Sequence, residues 1–165
     1  MLARSLMVLL ATVVTAHAAE IPDTIPATKC RGHKKIFAAL DDGTATPRKI
    51  KISSAFYSQA GSIVVHGCKN QCRESIDIGL LVQPGYTGEL PCSSLLYFNY
   101  GVSSEEGGSG EYWTNSGECT LTIVKNDAEK GRLKGTYRVQ LTGGSPPDVS
   151  AGEIVGCFSA KRQDL

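Results

Sequence analysis

The chain has 165 residues, 41% of them apolar, with 17 Lys and Arg against 16 Asp and Glu and a formal charge of +1. That length suits one domain with one core. The balanced charge argues against nucleic acid or an anionic membrane surface as the main partner, because both call for a clear basic excess.

The first residues carry one early charge (Arg4), an apolar run from Leu6 to Val14, and a small-residue end at Ala16-His17-Ala18. This is the order of a secretion signal, so residues 1–18 are expected to be removed and the mature chain to start at Ala19. The run is about half the length of a bilayer-spanning helix, and no later stretch replaces it. No membrane span is expected. Pro22 and Pro26 predict a loose segment over 19–34, followed by a single β domain over 35–165.

From Lys49 onward the pattern is of short apolar segments broken by Gly, Ser, Asn, Asp and Pro, which is the signature of an all-β chain. Lys34 to Leu40 fits an early strand, with Ile36, Ala38 and Leu40 in phase, at least as well as it fits a helix. Ile50 and Ile52 alternate with Lys49 and Lys51; Ser62 to His66 carries Ile63, Val64 and Val65; Ile76, Ile78, Leu80 and Val82 alternate with Ser75, Asp77 and Gly79 until Pro84-Gly85 turns the chain. Leu95 to Tyr100 is apolar on both faces and is expected at the centre or under a covering segment. Ser103 to Gly110 is a loop. Glu111 to Thr114 precedes a turn at Asn115-Ser116-Gly117. The clearest hairpin follows, with Cys119, Leu121 and Ile123 facing Leu133, Tyr137, Val139 and Leu141 across a turn at 126–131, while Lys134, Thr136, Arg138 and Gln140 take the other face. In the last strand, Glu153 to Ala160, Ile154 and Phe158 share a face and put Cys157 opposite.

The six cysteines, Cys30, Cys68, Cys72, Cys92, Cys119 and Cys157, all follow the expected signal. An even number in an exported chain predicts disulfides. Three bridges allow fifteen pairings; Cys68 with Cys72 would close a short loop and Cys119 with Cys157 a long one, although the phase of the last strand weakens the second pair. His66, Cys68 and Cys72 also raise a metal site, but the spacing is not C-x-x-C and no second ligand pair accompanies it. No metal and no cofactor is expected.

Catalytic patterns are equally sparse. There is no G-x-G-x-x-G and no G-x-x-x-x-G-K-S/T. Ser109 lacks the G-x-S-x-G elbow. His33 and His66 read as ordinary surface imidazoles, Asp41-Asp42-Gly43 as a turn, Glu105-Glu106 as a loop tip, and the basic residues from Lys29 to Lys51 as solvated strand faces. The remaining chemistry is aromatic: Tyr97, Phe98 and Tyr100, with Tyr112 and Trp113 beside the Gly-rich loop, are candidates for a stacking platform. Tyr100, Tyr112 and Trp113 are the candidate ligand-binding residues, and packing in the core is their alternative role.

The segments A-F-Y-S-Q-A-G-S-I-V-V-H-G, I-D-I-G-L-L-V, S-G-E-C-T-L-T-I-V-K-N-D, G-R-L-K-G-T-Y-R-V-Q-L and the closing G-E-I-V-G-C-F resemble a family of small exported bacterial β-domains of uncharacterised function. The resemblance implies an antiparallel β-sandwich or flattened barrel and supplies no catalytic residues. The sequence therefore predicts one disulfide-stabilised antiparallel β-sandwich or flattened β-barrel, periplasmic or extracellular, that is a binding module and not an enzyme. Its expected partner is a surface glycan or an envelope or secreted protein. Two alternatives stand beside that reading, an exported enzyme inhibitor and a hydrolase whose residues converge only in the fold.

Overall fold

The computed structural model describes residues 21–32, 34–44, 46–60, 62–103, 110–145 and 151–163. The expected signal peptide, His33, Glu105-Glu106 and Ser109 lie outside them. Ten strands are present: β1 (Lys35–Asp41), β2 (Arg48–Ile52), β3 (Ala55–Ala60), β4 (Ser62–Lys69), β5 (Glu74–Leu80), β6 (Gly88–Leu90), β7 (Leu95–Ser103), β8 (Gly110–Asp127), β9 (Arg132–Ser145) and β10 (Gly152–Arg162). Short 3-10 turns at Ala27–Cys30 and Cys92–Ser94 are the only helical elements among the described residues. The all-β expectation holds, and of the two architectures the barrel is the one formed.

Seven strands, β3, β4, β5, β7, β8, β9 and β10, close on themselves. Pairing is antiparallel throughout except at the closing seam, where Lys161 and Arg162 of β10 run parallel to Phe56 and Tyr57 of β3. Before reaching that seam β10 pairs with β1, from Glu153 opposite Asp41 to Ser159 opposite Lys35, and β1 in turn carries β2. The β1–β2 hairpin thus extends the sheet past the barrel wall, and its Ile36, Ala38, Leu40, Ile50 and Ile52 join the same core as the barrel interior.

Alternation decides which side chains reach that core. Leu121, Ile123, Leu133, Tyr137, Val139 and Leu141 are buried as their phase requires, and Lys134, Thr136, Arg138 and Gln140 face outward. Three local features depart from the sequence reading. Asn115-Ser116-Gly117 does not turn the chain; it forms an irregularity inside the long β8, between the Asn115–Leu141 and Cys119–Val139 pairs. Leu96 is 49% exposed, because a bulge opposite Gly79 and Leu80 inserts one extra residue into β7 and throws it outward. The strands β3 and β6 carry too little apolar alternation to be singled out from sequence.

The bridges are Cys30–Cys157, Cys68–Cys72 and Cys92–Cys119. The short-loop pair is as anticipated, whereas the suggested Cys119–Cys157 bridge does not form. Cys157 lies with Val155 on the outer face of β10, away from Ile154 and Phe158, and meets Cys30 in a second small cluster that also holds Ile25 and Ala39. Residues 21–30 are consequently not loose. Arg138 donates from Nε and Nη2 to Glu153 at 2.5 and 2.6 Å and from Nη1 to the Asp23 carbonyl at 3.1 Å, and the Ser159 hydroxyl donates to the Gly32 carbonyl at 2.7 Å.

The hairpin β8–β9 packs against β10 with no spare room at Gly135, where an added Cβ would sit 2.7 Å from both the Phe158 ring and the Thr122 carbonyl oxygen. Gly135→Ala is expected to lower stability by about 1–3 kcal/mol through overpacking. A fall in the urea midpoint at unchanged m-value is the predicted result; an unchanged midpoint would mean that the interior is looser than the packing here requires.

Candidate functional site

The pleat divides the candidate aromatic trio. Tyr100 and Trp113 are a cross-strand pair pointing into the barrel, stacked with centroids 5.3 Å apart and essentially without solvent exposure. They are not a surface platform. Tyr112, the residue before Trp113, takes the opposite face and is 39% exposed. Two consecutive strand residues cannot share a face, so the Tyr112-Trp113 pair was bound to be divided once Glu111 to Thr114 became a strand.

The inward pair is held by charge at one end of the barrel. Tyr100 donates its hydroxyl to Glu74 Oε1 at 3.1 Å. Arg48 reaches Glu111 at 2.8 Å and Asp42 at 3.2 Å, and its guanidinium lies 5.3 Å from the centre of the Trp113 ring. Burial raises the Asp42 carboxyl, but hydrogen bonds from the Thr44 hydroxyl and amide, with the Arg48 charge, outweigh it and hold the group below its ordinary value. Arg48 is therefore satisfied within the protein. The cluster thus spends the Arg48 charge on Glu111, Asp42 and the Trp113 ring.

Outside, the same strands carry a different surface. Register places His66, Asp77, Asn99 and Thr114 in one row across β4, β5, β7 and β8. His66 Nδ1 meets Asp77 Oδ1 at 2.5 Å, and both side chains are solvent-accessible. Tyr97 and Tyr112 flank this row. The Tyr97 ring lies over Gly79, where an added Cβ would come within 2.5 Å of it, and a Cβ added at Gly101 would lie 3.7 Å from the Tyr112 ring. Partial burial, and then the nearby Asp77 charge, push both phenols upward. Tyr97 and Tyr112 belong to the aromatic set noted from sequence; the row between them, which no motif announces, comes from the pairing of three separate hairpin edges.

Where β4 meets β5, Asn70, Gln71 and Cys72 adopt φ of 52, 58 and 62°. Three successive non-glycine residues in the left-handed region cost about 1–2 kcal/mol each. The Cys68–Cys72 bridge closes this hairpin, and one nitrogen of His66 and the two sulfurs all lie within 4.8 Å of one another.

A second concavity, of about 440 Å³, opens between residues 22–29 and the outer face of β1 and β2. Its floor is Ile25, Phe37 and Ala39, its walls include Pro22, Pro26 and Pro47, and Lys29 and Lys49 stand at its edge. The basic residues read from sequence as solvated strand faces thus include two that border an apolar groove.

Burial, then the Glu74 charge, drive the Tyr100 phenol far above its ordinary value; burial does the same to Tyr137, whose hydroxyl has no hydrogen-bond partner among the described residues. The folded state therefore keeps these phenolic protons where the unfolded chain would lose them near pH ~10. The associated stability is complete below that pH and is lost as pH rises above it. Tyrosinate absorbance from the two buried rings is expected to grow only together with loss of β circular dichroism. Ionisation of every tyrosine in a chain that keeps its β spectrum would contradict this.

No family model, curated protein or solved structure matches the chain.

Proposed function

We propose that the chain is an exported binding module that takes an oligosaccharide across the outer face of β4, β5, β7 and β8. The supporting observation is the pair of tyrosine rings, Tyr97 and Tyr112, that flank the polar row of His66, Asp77, Asn99 and Thr114. Aromatic faces accept the C–H faces of sugar rings, while a few fixed polar groups select hydroxyl positions. Along β7 the row of Tyr97 and the row of Gly101 beside Tyr112 are four residues apart, roughly 13 Å at strand rise. A ligand that touches both rings spans more than one sugar unit. The tyrosines stand on strands and not on a loop tip, so the platform is rigid before binding. Three disulfides and the secretion-like N-terminus favour a periplasmic or extracellular site of action.

Oxidised protein is to be passed through affinity gels cast with a panel of polysaccharides, alongside Tyr97→Ala, Tyr112→Ala and Tyr112→Phe. Retardation by at least one polysaccharide is expected, weakened about tenfold or more in each alanine variant, in line with a loss of 1–3 kcal/mol at a stacking contact, and kept in Tyr112→Phe. Retardation that both alanine variants retain, or no retardation of the wild type by any polysaccharide, would overturn the reading.

The groove over Phe37 favours a second ligand class, an apolar body with an anionic head between Lys29 and Lys49. Calorimetric titration should give binding of decanoate but not of a decyltrimethylammonium ion, with the difference abolished in Lys29→Glu/Lys49→Glu. Equal binding of both amphiphiles would remove this reading.

A further inference from the structure

The three bridges stand in different surroundings. Cys30 and Cys157 are wholly buried, Cys92 and Cys119 are half-buried on the barrel wall, and Cys72 alone of the six is exposed. Cys72 also ends the run of left-handed residues that starts at Asn70. Such conformations persist only where the surroundings over-determine them, and they concentrate at functional sites. Here the surroundings are the Cys68–Cys72 bridge, the Lys69–Glu74 ion pair at 3.3 Å, and backbone bonds from Arg73 N to the Asn70 carbonyl and from Ser103 N to the Arg73 carbonyl. Opening the bridge would remove the covalent part of that constraint.

Two further features surround the same sulfurs. His66, on the same face of β4 as Cys68, is held through Nδ1 by Asp77 and keeps a ring nitrogen within 4.8 Å of both sulfurs. A cleft of about 210 Å³, with Arg73, Ser75, Gly101 and Tyr112 in its lining, opens onto Cys72. An exposed cysteine bordering a cleft, a strained loop and an imidazole beside the bridge are conditions that favour disulfide exchange.

We propose that Cys68–Cys72 is an exchange-active disulfide whose substrate is a thiol entering the cleft beside Tyr112. The thiolate of the incoming molecule attacks Cys72 Sγ; a new S–S bond forms there as the Cys68–Cys72 bond breaks, and Cys68 leaves as a thiolate. The incoming sulfur is oxidised and the Cys68 sulfur reduced, with the His66 imidazole beside the departing sulfur. Attack by Cys68 on the mixed disulfide reverses the step. Attack by a second thiol on the first partner's sulfur instead releases a thiol–thiol disulfide and leaves Cys68 and Cys72 both reduced, each taking up one proton. Tyr112 borders both this site and the oligosaccharide face, and His66 belongs to both, but the exchange step needs no oligosaccharide.

The full oxidised protein is to be incubated without denaturant in reduced glutathione, quenched with an alkylating reagent at intervals, and mapped by peptide mass spectrometry. Glutathione on Cys72 with alkylated Cys68 is expected about tenfold or more before either other bridge opens. His66→Gln should slow adduct formation severalfold while the circular dichroism spectrum stays unchanged, and Gln71→Gly should slow it by relaxing the left-handed turn. The proposal is overturned if the three bridges open together, if Cys92–Cys119 opens first, if the adduct lies on Cys68, or if neither variant changes the rate.

Discussion

The closure of the barrel depends on β10. One of its edges pairs with β9 along nearly its whole length; the other is divided between β1 and, at Lys161 and Arg162, the start of β3. That brief parallel seam turns an open sheet into a barrel, and the inward side chains of β3, β4 and β5 then share one core with those of β8 and β9. Closure also settles the edge problem, since an open sheet offers unpaired backbone groups to any other strand. Among the described strands, β2 and β6 remain at the ends of the pairing path. Exposed Lys49 and Lys51 on β2 guard the first of these edges with charge.

A second layer is fastened to the outside of the same strand. Cys157, Val155 and Ser159 of β10 face away from the core and receive the segment 21–32 through a disulfide, a small apolar cluster and a hydrogen bond to the Gly32 carbonyl. Arg138 on β9 adds the Asp23 contact. The bridge joins residues 127 apart in sequence, so it restricts the unfolded chain more than a short-loop bridge does. The groove bounded by Phe37, Pro47 and the N-terminal prolines exists because this layer is tied down. Its apolar floor is β1's outer face, which in an ordinary half-exposed strand would be polar.

Strand alternation also assigns the roles of the aromatics. Tyr100 and Trp113 supply core area and stack on each other, with Arg48 and Glu74 satisfying the polar rim of the barrel. Tyr97 and Tyr112, outward in the same strands, lie beside glycines and frame the His66–Asp77 row. The strained hairpin of Cys68 and Cys72 meets one border of that face. Rigid strands with a strained turn at their edge are a suitable arrangement for presenting fixed side chains and one exposed bridge.

Alternation along single strands was legible in the sequence, because period-two burial is a local property: the inward phase of β1, β2, β5 and β9, the all-β class, and Cys157 on the face opposite Phe158 all follow from neighbours in the chain. The division between Tyr112 and Trp113 was legible by the same rule once their segment was taken as a strand. The register between strands was not, since it depends on which residues oppose one another after folding. The bulge that exposes Leu96, the Cys30–Cys157 and Cys92–Cys119 pairings, the parallel seam, and the meeting of His66, Asp77, Tyr97 and Tyr112 on one face were each decided by tertiary pairing alone, where contacts join residues far apart in sequence and no local pattern records them.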